Sequence, residues 1–141
     1  MARRDARIER LAAVPLFRAC SKKELGQVAS AADQITIEAG DDVVAEGEIG
    51  HEFFVIMSGQ ATVHRGGRDV ATIGPGDYFG ELALLDRTQT RRDATVRATS
   101  ALEVLCIGRR EFGALLDEVP TLAHKVMAGM AQRLHELDGK A

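Results

Sequence analysis

Only two cysteines occur in the 141 residues, Cys20 and Cys106. They lie far apart and match neither a metal nor a redox spacing, so they read as reduced, buried thiols of a cytoplasmic protein. Metal chemistry is equally short of material. The histidines His51, His64, His124 and His135 are dispersed, with no His-x-His pair followed by a glutamate, and a metal ligand needs partners at matched spacing. Ser58 has no nucleophile-elbow context, which leaves acyl transfer unsupported. Long apolar runs are absent: nothing approaches the roughly 20 residues that span a bilayer. The opening MARRDARIER lacks the apolar segment of a secretory signal. Excess charge is lacking too. The net charge of -3 argues against nucleic acid as the main partner. Arg3, Arg4, Arg7 and Arg10 are interrupted by Asp5 and Glu9 and read as a solvated helix face. What remains, 45% hydrophobic and 28% charged, is the composition of one globular domain over residues 1–141.

Its patterning changes twice. Residues 1–32 are helical in period. Ile8, Leu11 and Ala12 line a helix over residues 5–13, Pro15 ends it, and Ser21 with Glu24 forms a capping box. That box opens a second helix to about Ala31, with Leu25, Val28 and Ala29 on its buried face. Residues 33–108 are short β-prone runs between glycine turns: Gln34–Ile37, Val43–Ala45, Phe53–Met57, Ala61–His64, Val70–Ile73, Val96–Ala98 and Leu102–Ile107. Gly66-Gly67 marks a hairpin. Residues 109–138 return to helical spacing, first with Phe112, Leu115 and Leu116, then from Pro120 with Leu122, Val126, Met127, Met130, Leu134 and Leu137. This last stripe suits core packing, a lid or a dimer seam through Val126, Met130 and Leu134. Short strands at this spacing predict an antiparallel barrel or jelly roll.

The chemistry gathers between Phe79 and Val96. Gly80 lets the backbone turn, Leu82 to Leu85 are good helix formers, and an arginine-bearing loop returns to Ala94-Thr95-Val96. A glycine, a helix N-terminus and an arginine suit a small anion. Glu81 would repel that anion, so it is meant for something else, such as a sugar hydroxyl. One ligand carrying a phosphate and a ribose satisfies both ends. Outside this context Glu81 and Arg92 would read as a surface ion pair, and Thr95 as a strand filler.

The sequence Phe79-Gly80-Glu81-Leu82-Ala83-Leu84, then Arg92-Asp93-Ala94-Thr95-Val96, resembles the phosphate-binding cassette of the cyclic nucleotide-binding domain family. Gly40, Gly47 and Gly59 stand at that family's turn positions, and Leu11, Val14, Pro15, Leu16 and Phe17 resemble its helical entry. The resemblance implies a mainly β fold: an eight-stranded antiparallel jelly-roll β-barrel with N-terminal helices and a C-terminal helix pair. It implies that Glu81 accepts from the ribose 2′-hydroxyl and Arg92 pairs with the cyclic phosphate. Backbone amides of Gly80 and Ala83 add donors, and Leu82 packs under the sugar or base. Phe79, Asp93, Ala94 and Thr95 complete the ligand-binding set. The family commonly carries alanine, serine or threonine where Asp93 stands, and pairing with Arg91 would neutralise that carboxylate. There is no tryptophan and the only tyrosine is Tyr78, so Leu134, Leu137 and Asp138 are the candidates for a lid over the base.

The expected function is a non-enzymatic, stand-alone regulatory module in the cytoplasm. It binds cAMP ahead of cGMP, needs no other cofactor, and signals through its C-terminal helices to an effector protein. Neither direct nucleic-acid binding nor membrane association is expected. A degenerate fold acting as a ligand-independent dimerisation or protein-interaction module is the alternative, with a homodimer through the C-terminal helix.

Overall fold

Apolar period dictates the elements, and their order follows the two changes of pattern. Helix α1 (Ala2–Ala12), a 3-10 turn (Pro15–Phe17) and α2 (Lys22–Ala31) come first. Among the described residues eight strands follow: β1 (Asp33–Ile37), β2 (Asp42–Val44), β3 (Phe53–Ser58), β4 (Ala61–Arg65), β5 (Arg68–Ile73), β6 (Tyr78–Phe79), β7 (Thr95–Ala98) and β8 (Leu102–Ile107). Helices α3 (Arg109–Glu118) and α4 (Pro120–Lys140) close the chain. The computed structural model describes residues 2–80 and 91–140. Its contacts divide into two compact units, Ala32–Arg109 and the pair of segments Met1–Ala31 and Arg110–Ala141.

The expected closed barrel is not what the β unit forms. Its strands make two separate four-stranded antiparallel sheets, ordered β1-β8-β3-β6 and β2-β7-β4-β5. Closure requires every strand to have a hydrogen-bonded neighbour on both sides. Here β1, β6, β2 and β5 each end a sheet. Strand count and turn spacing are local properties, whereas closure depends on pairing between distant strands, so the sequence pattern could not decide it. Within this unit Phe54, Ile56, Leu102 and Val104 of one sheet share a core with Ala61, Val96 and Ala98 of the other. These residues alternate along their strands, as a pleat with period 2 requires. Each large side chain so buried contributes about 1.5–3 kcal/mol. The β4–β5 hairpin forms as expected. Gly66 and Gly67 take φ of 60° and 79°, the two positive values that a tight two-residue turn between twisted strands demands.

In the helical unit the capping box closes reciprocally: the Ser21 N–H donates to Glu24 Oε1 at 2.8 Å and the Glu24 N–H to Ser21 Oγ at 3.1 Å. Phe17 and Phe112 meet with ring centroids 6.4 Å apart. Helix α4 lies so close to the 3-10 turn that a Cβ on Gly129 would stand 2.4 Å from the Leu16 carbonyl oxygen and 2.7 Å from that of Pro15. Both obstacles are backbone and cannot rotate away. Gly129→Ala should therefore destabilise the unit by about 1–2 kcal/mol, since overpacking outweighs the roughly 1 kcal/mol that alanine gains in helix propensity. Urea denaturation measures it; a rise in stability would show that helix and turn are less tightly docked. Val126 is buried at 2% exposure while Met127 is 61% exposed, so Val126 is not available to a dimer seam.

Both cysteines are half-buried rather than fully buried. Burial, then the nearby Glu24 carboxylate, pushes the Cys20 thiol up to about 11 against the opposing pull of Lys125. Among the described residues no helix is long and apolar enough to cross a membrane.

Candidate functional site

Strand β6 carries the chain into the candidate site. It is only two residues long, and it is fixed by pairing with β3, Phe79 opposite Phe54 and Tyr78 opposite Val55. The Phe54 and Phe79 rings stack with centroids 5.0 Å apart. Gly80 follows with φ 84°, a left-handed conformation that a side chain would strain. A Cβ there would also stand 2.6 Å from the Glu52 carbonyl oxygen and 2.9 Å from Arg92 Nη1. Glu81, Leu82 and Ala83, expected to read the sugar and phosphate, lie outside the described residues, as does the short helix expected over Leu82–Leu85.

Arg91 and Arg92, where the described chain resumes, face different tasks. Arg91 bridges to Ile49 through the backbone and donates Nη1 to the Gly47 carbonyl at 2.8 Å. Arg92 is held at both backbone ends: its N–H donates to the Glu48 carbonyl at 2.8 Å, and its carbonyl accepts from the Gly47 N–H at 2.8 Å. Its side chain turns inward and is only 9% exposed. The guanidinium carbon stands 5.8 Å from the Phe54 ring centroid, within cation–π range. A Cβ on Gly50 would fall 2.4 Å from Arg92 Nε. Two glycines and one aromatic ring thus shape a slot that the guanidinium fills.

Among the described residues, charge compensation in the slot is thin. Glu52 Oε1 lies 3.4 Å from Arg92 Nη2, and the Glu52 side chain is 46% exposed. Burial pulls the Arg92 guanidinium down from its ordinary value, while Glu52 first, then Cys106 and Asp93, hold it up. An arginine stays protonated at neutral pH all the same. A guanidinium with a 9%-exposed side chain, whose carboxylate contact among the described residues is the long one to Glu52, is suited to attract an anion.

The remaining predicted residues fall close by. Asp93 is 70% exposed and pairs with Arg65, not with Arg91, at 3.5 Å. Ala94 is buried at 8% exposure. The Thr95 hydroxyl accepts from the Glu46 N–H at 2.9 Å, which ties the 45–50 turn to the start of β7. Leu134, Leu137 and Asp138 fall on α4, and their side chains lie outside the described residues. Among the described residues no cluster of histidine, cysteine, aspartate and glutamate could hold a metal ion.

The sequence profile of the cyclic nucleotide-binding domain matches residues 34–119. The chain belongs to the cyclic nucleotide-binding domain family. The domain is 32% identical over 129 residues to the cyclic AMP receptor protein of Thermus thermophilus, a match spanning 88% of this chain and 59% of that protein. It is 38% identical over 110 residues to a cAMP-dependent protein kinase regulatory subunit of Eremothecium gossypii, spanning 77% of this chain and 24% of that subunit. Among solved structures it superposes with TM-score 0.78 and 27% identity on the N-terminal domain of a transcriptional regulator from Streptomyces coelicolor, covering 90% of each chain. The two curated relatives are thus substantially longer than the portion this cyclic nucleotide-binding domain matches.

Several side chains of the domain's slot were not singled out from sequence. Gly50, Glu52 and Arg65 fall outside the β-prone runs read from sequence, and Phe54 lies within one of them, Phe53–Met57. Each reaches the site only through pairing across tens of residues, and no local pattern signals that.

Proposed function

We propose that the segment from Phe79 to Val96 captures a 3′,5′-cyclic nucleotide, cAMP ahead of cGMP, and that the protein acts by binding rather than catalysis. The observation that carries this is Arg92: a guanidinium 9% exposed, aligned by Gly50, Gly80 and Phe54, and facing, among the described residues, the half-exposed Glu52 carboxylate at 3.4 Å. In this reading Arg92 meets the cyclic phosphate and Glu81 the ribose hydroxyl. Phe79, Gly80, Leu82, Ala83, Ala94 and Thr95 shape the site around the ligand. The names of the relatives, a cyclic AMP receptor and a cAMP-dependent kinase regulatory subunit, support cAMP as the ligand. Binding shifts the population of conformers in the segment and its flanking helices. Leu134, Leu137 and Asp138 cover the base, and the signal passes through α4 to an effector protein.

Isothermal titration with cAMP and cGMP tests the reading. Saturable binding with cAMP the tighter ligand supports it; no heat and no thermal shift at millimolar nucleotide would overturn it. Gly50→Ala separates the slot from the fold. Its Cβ would meet the Arg92 side chain first, whose Nε, Nη2 and Cζ are the three nearest atoms. Affinity should fall about tenfold, the loss of roughly one charge-assisted hydrogen bond, with little change in melting temperature. Unchanged affinity would show that the alignment of Arg92 does not matter.

A further inference from the structure

Asp93 presents a problem that the proposed function leaves unsolved. It follows Arg92 directly, and its carboxylate acts on the Arg92 guanidinium electrostatically. Left alone, it would repel the ligand and compete for the same guanidinium. Arg91 turns elsewhere, its Nη1 donating to the Gly47 carbonyl at 2.8 Å, and among the described residues the ion pair of Asp93 is with Arg65. Arg97, two residues into β7, donates to Asp42 at 2.7 Å.

The β4–β5 hairpin supplies the missing cation. We propose that Arg65 is the charge-compensating residue of the nucleotide site, binding Asp93 so that its carboxylate neither repels the phosphate nor competes for Arg92. The inference rests on the reading of Arg92 as the phosphate-binding group. Arg65 grips Asp93 twice: Nε donates to the Asp93 carbonyl at 3.2 Å, and Nη2 lies 3.5 Å from Oδ2. The grip therefore fixes the backbone after Arg92 as well as the carboxylate.

The position of Arg65 is itself enforced. It is the last residue of β4, paired with Arg68 across the hairpin. The next residue, Gly66, donates its N–H to Glu46 Oε1 at 3.1 Å, and the Glu46 N–H donates to Thr95 Oγ1 at 2.9 Å. Arg65, Gly66, Glu46, Thr95 and Asp93 thus form a closed ring of contacts that seats the hairpin tip against residues 93–95. An exposed ion pair of this kind adds little to folding stability. Its consequence is electrostatic and local to the anion.

A double-mutant cycle read by cAMP titration tests this, using wild type, R65A, R65K, D93N and R65A/D93N at low and high salt. R65A should bind about two- to fivefold more weakly than wild type, the range of an exposed pair. R65K should keep most of the affinity, because it keeps the charge. D93N should bind at least as tightly as wild type, and adding R65A to it should cost nothing further. The R65A loss should shrink in high salt, where exposed charges are screened beyond roughly 3 Å at 1 M. Full affinity in R65A would overturn the inference. So would an equal loss on adding R65A to D93N, since Arg65 would then be touching the ligand itself. Failure of the wild type to bind would instead overturn the reading of Arg92. Melting curves identify any variant that fails to fold; were R65A one of them, R65K and D93N still decide, because a compensating role requires near-normal affinity in both.

Discussion

Replacing Arg92 with alanine should weaken cAMP binding by about a hundredfold or more while leaving the protein folded. A guanidinium meets a phosphate with two parallel charge-assisted hydrogen bonds, each worth roughly 1.5–3 kcal/mol, so about 3 kcal/mol is a lower bound on the loss. The slot strengthens the effect, because at 9% exposure little water is available to substitute for the lost donors. Stability of the unliganded protein should change far less. Burial already disfavours the charged guanidinium, and the carboxylate it leaves behind, Glu52, is 46% exposed and can hydrate. Arg92→Lys should recover only part of the affinity, since a point charge lacks the planar fork and does not fill a space shaped by Gly50, Gly80 and Phe54. Titration calorimetry on the two variants reads both outcomes, and wild-type affinity in Arg92→Ala would remove the phosphate role from this residue.

The second large effect is on folding and lies in the helical unit. Glu24 on α2 is 7% exposed. Its Oε1 accepts from Lys125 Nζ at 2.7 Å and from the Ser21 N–H at 2.8 Å, and its Oε2 accepts from Thr121 Oγ at 3.1 Å. Lys125 first, then Ser21, draw the carboxyl down from 4.5 to about 2, with burial opposing. A carboxylate more acidic in the folded chain stabilises the fold above its unfolded pKa and loses that contribution as pH falls through its folded one. The window here runs from about pH 4.5 down to about pH 2. With Lys125 a third exposed, a shift in this direction corresponds to a stabilisation on the order of 1–3 kcal/mol at neutral pH. Glu24→Gln should therefore lose about that much at pH 7, and its stability should be flatter than that of the wild type between those two pH values. Urea denaturation at several pH values measures the difference. Parallel curves for the two proteins would mean that Glu24 titrates normally.

Local chemistry was legible in the sequence and long-range pairing was not. The capping box at Ser21 and Glu24 could be read because its two partners are three residues apart. The same carboxylate also holds Thr121 and Lys125 across about a hundred residues, which no window of sequence displays. Leu102–Ile107 was read with its observed ends because its apolar run is bounded on both sides. Tyr78–Phe79 was missed as a strand, because two residues carry no period and only pairing with β3 defines it. The closed barrel failed for the same reason at larger scale. Asp93 was given the wrong partner: Arg91 is adjacent in sequence, but Arg65 faces it across the hairpin. Arg92 itself was chosen by motif spacing, while the slot that distinguishes it from Arg91 comes from Gly50, Glu52 and Phe54, some forty residues earlier.

The most direct test of the account is a crystal structure of the protein with cAMP. It should show the cyclic phosphate within about 3 Å of the Arg92 guanidinium, Glu81 at the ribose hydroxyl, and Asp93 still turned to Arg65. Nucleotide density elsewhere, or an Arg92 slot that stays closed on Glu52 with saturating ligand present, would contradict it.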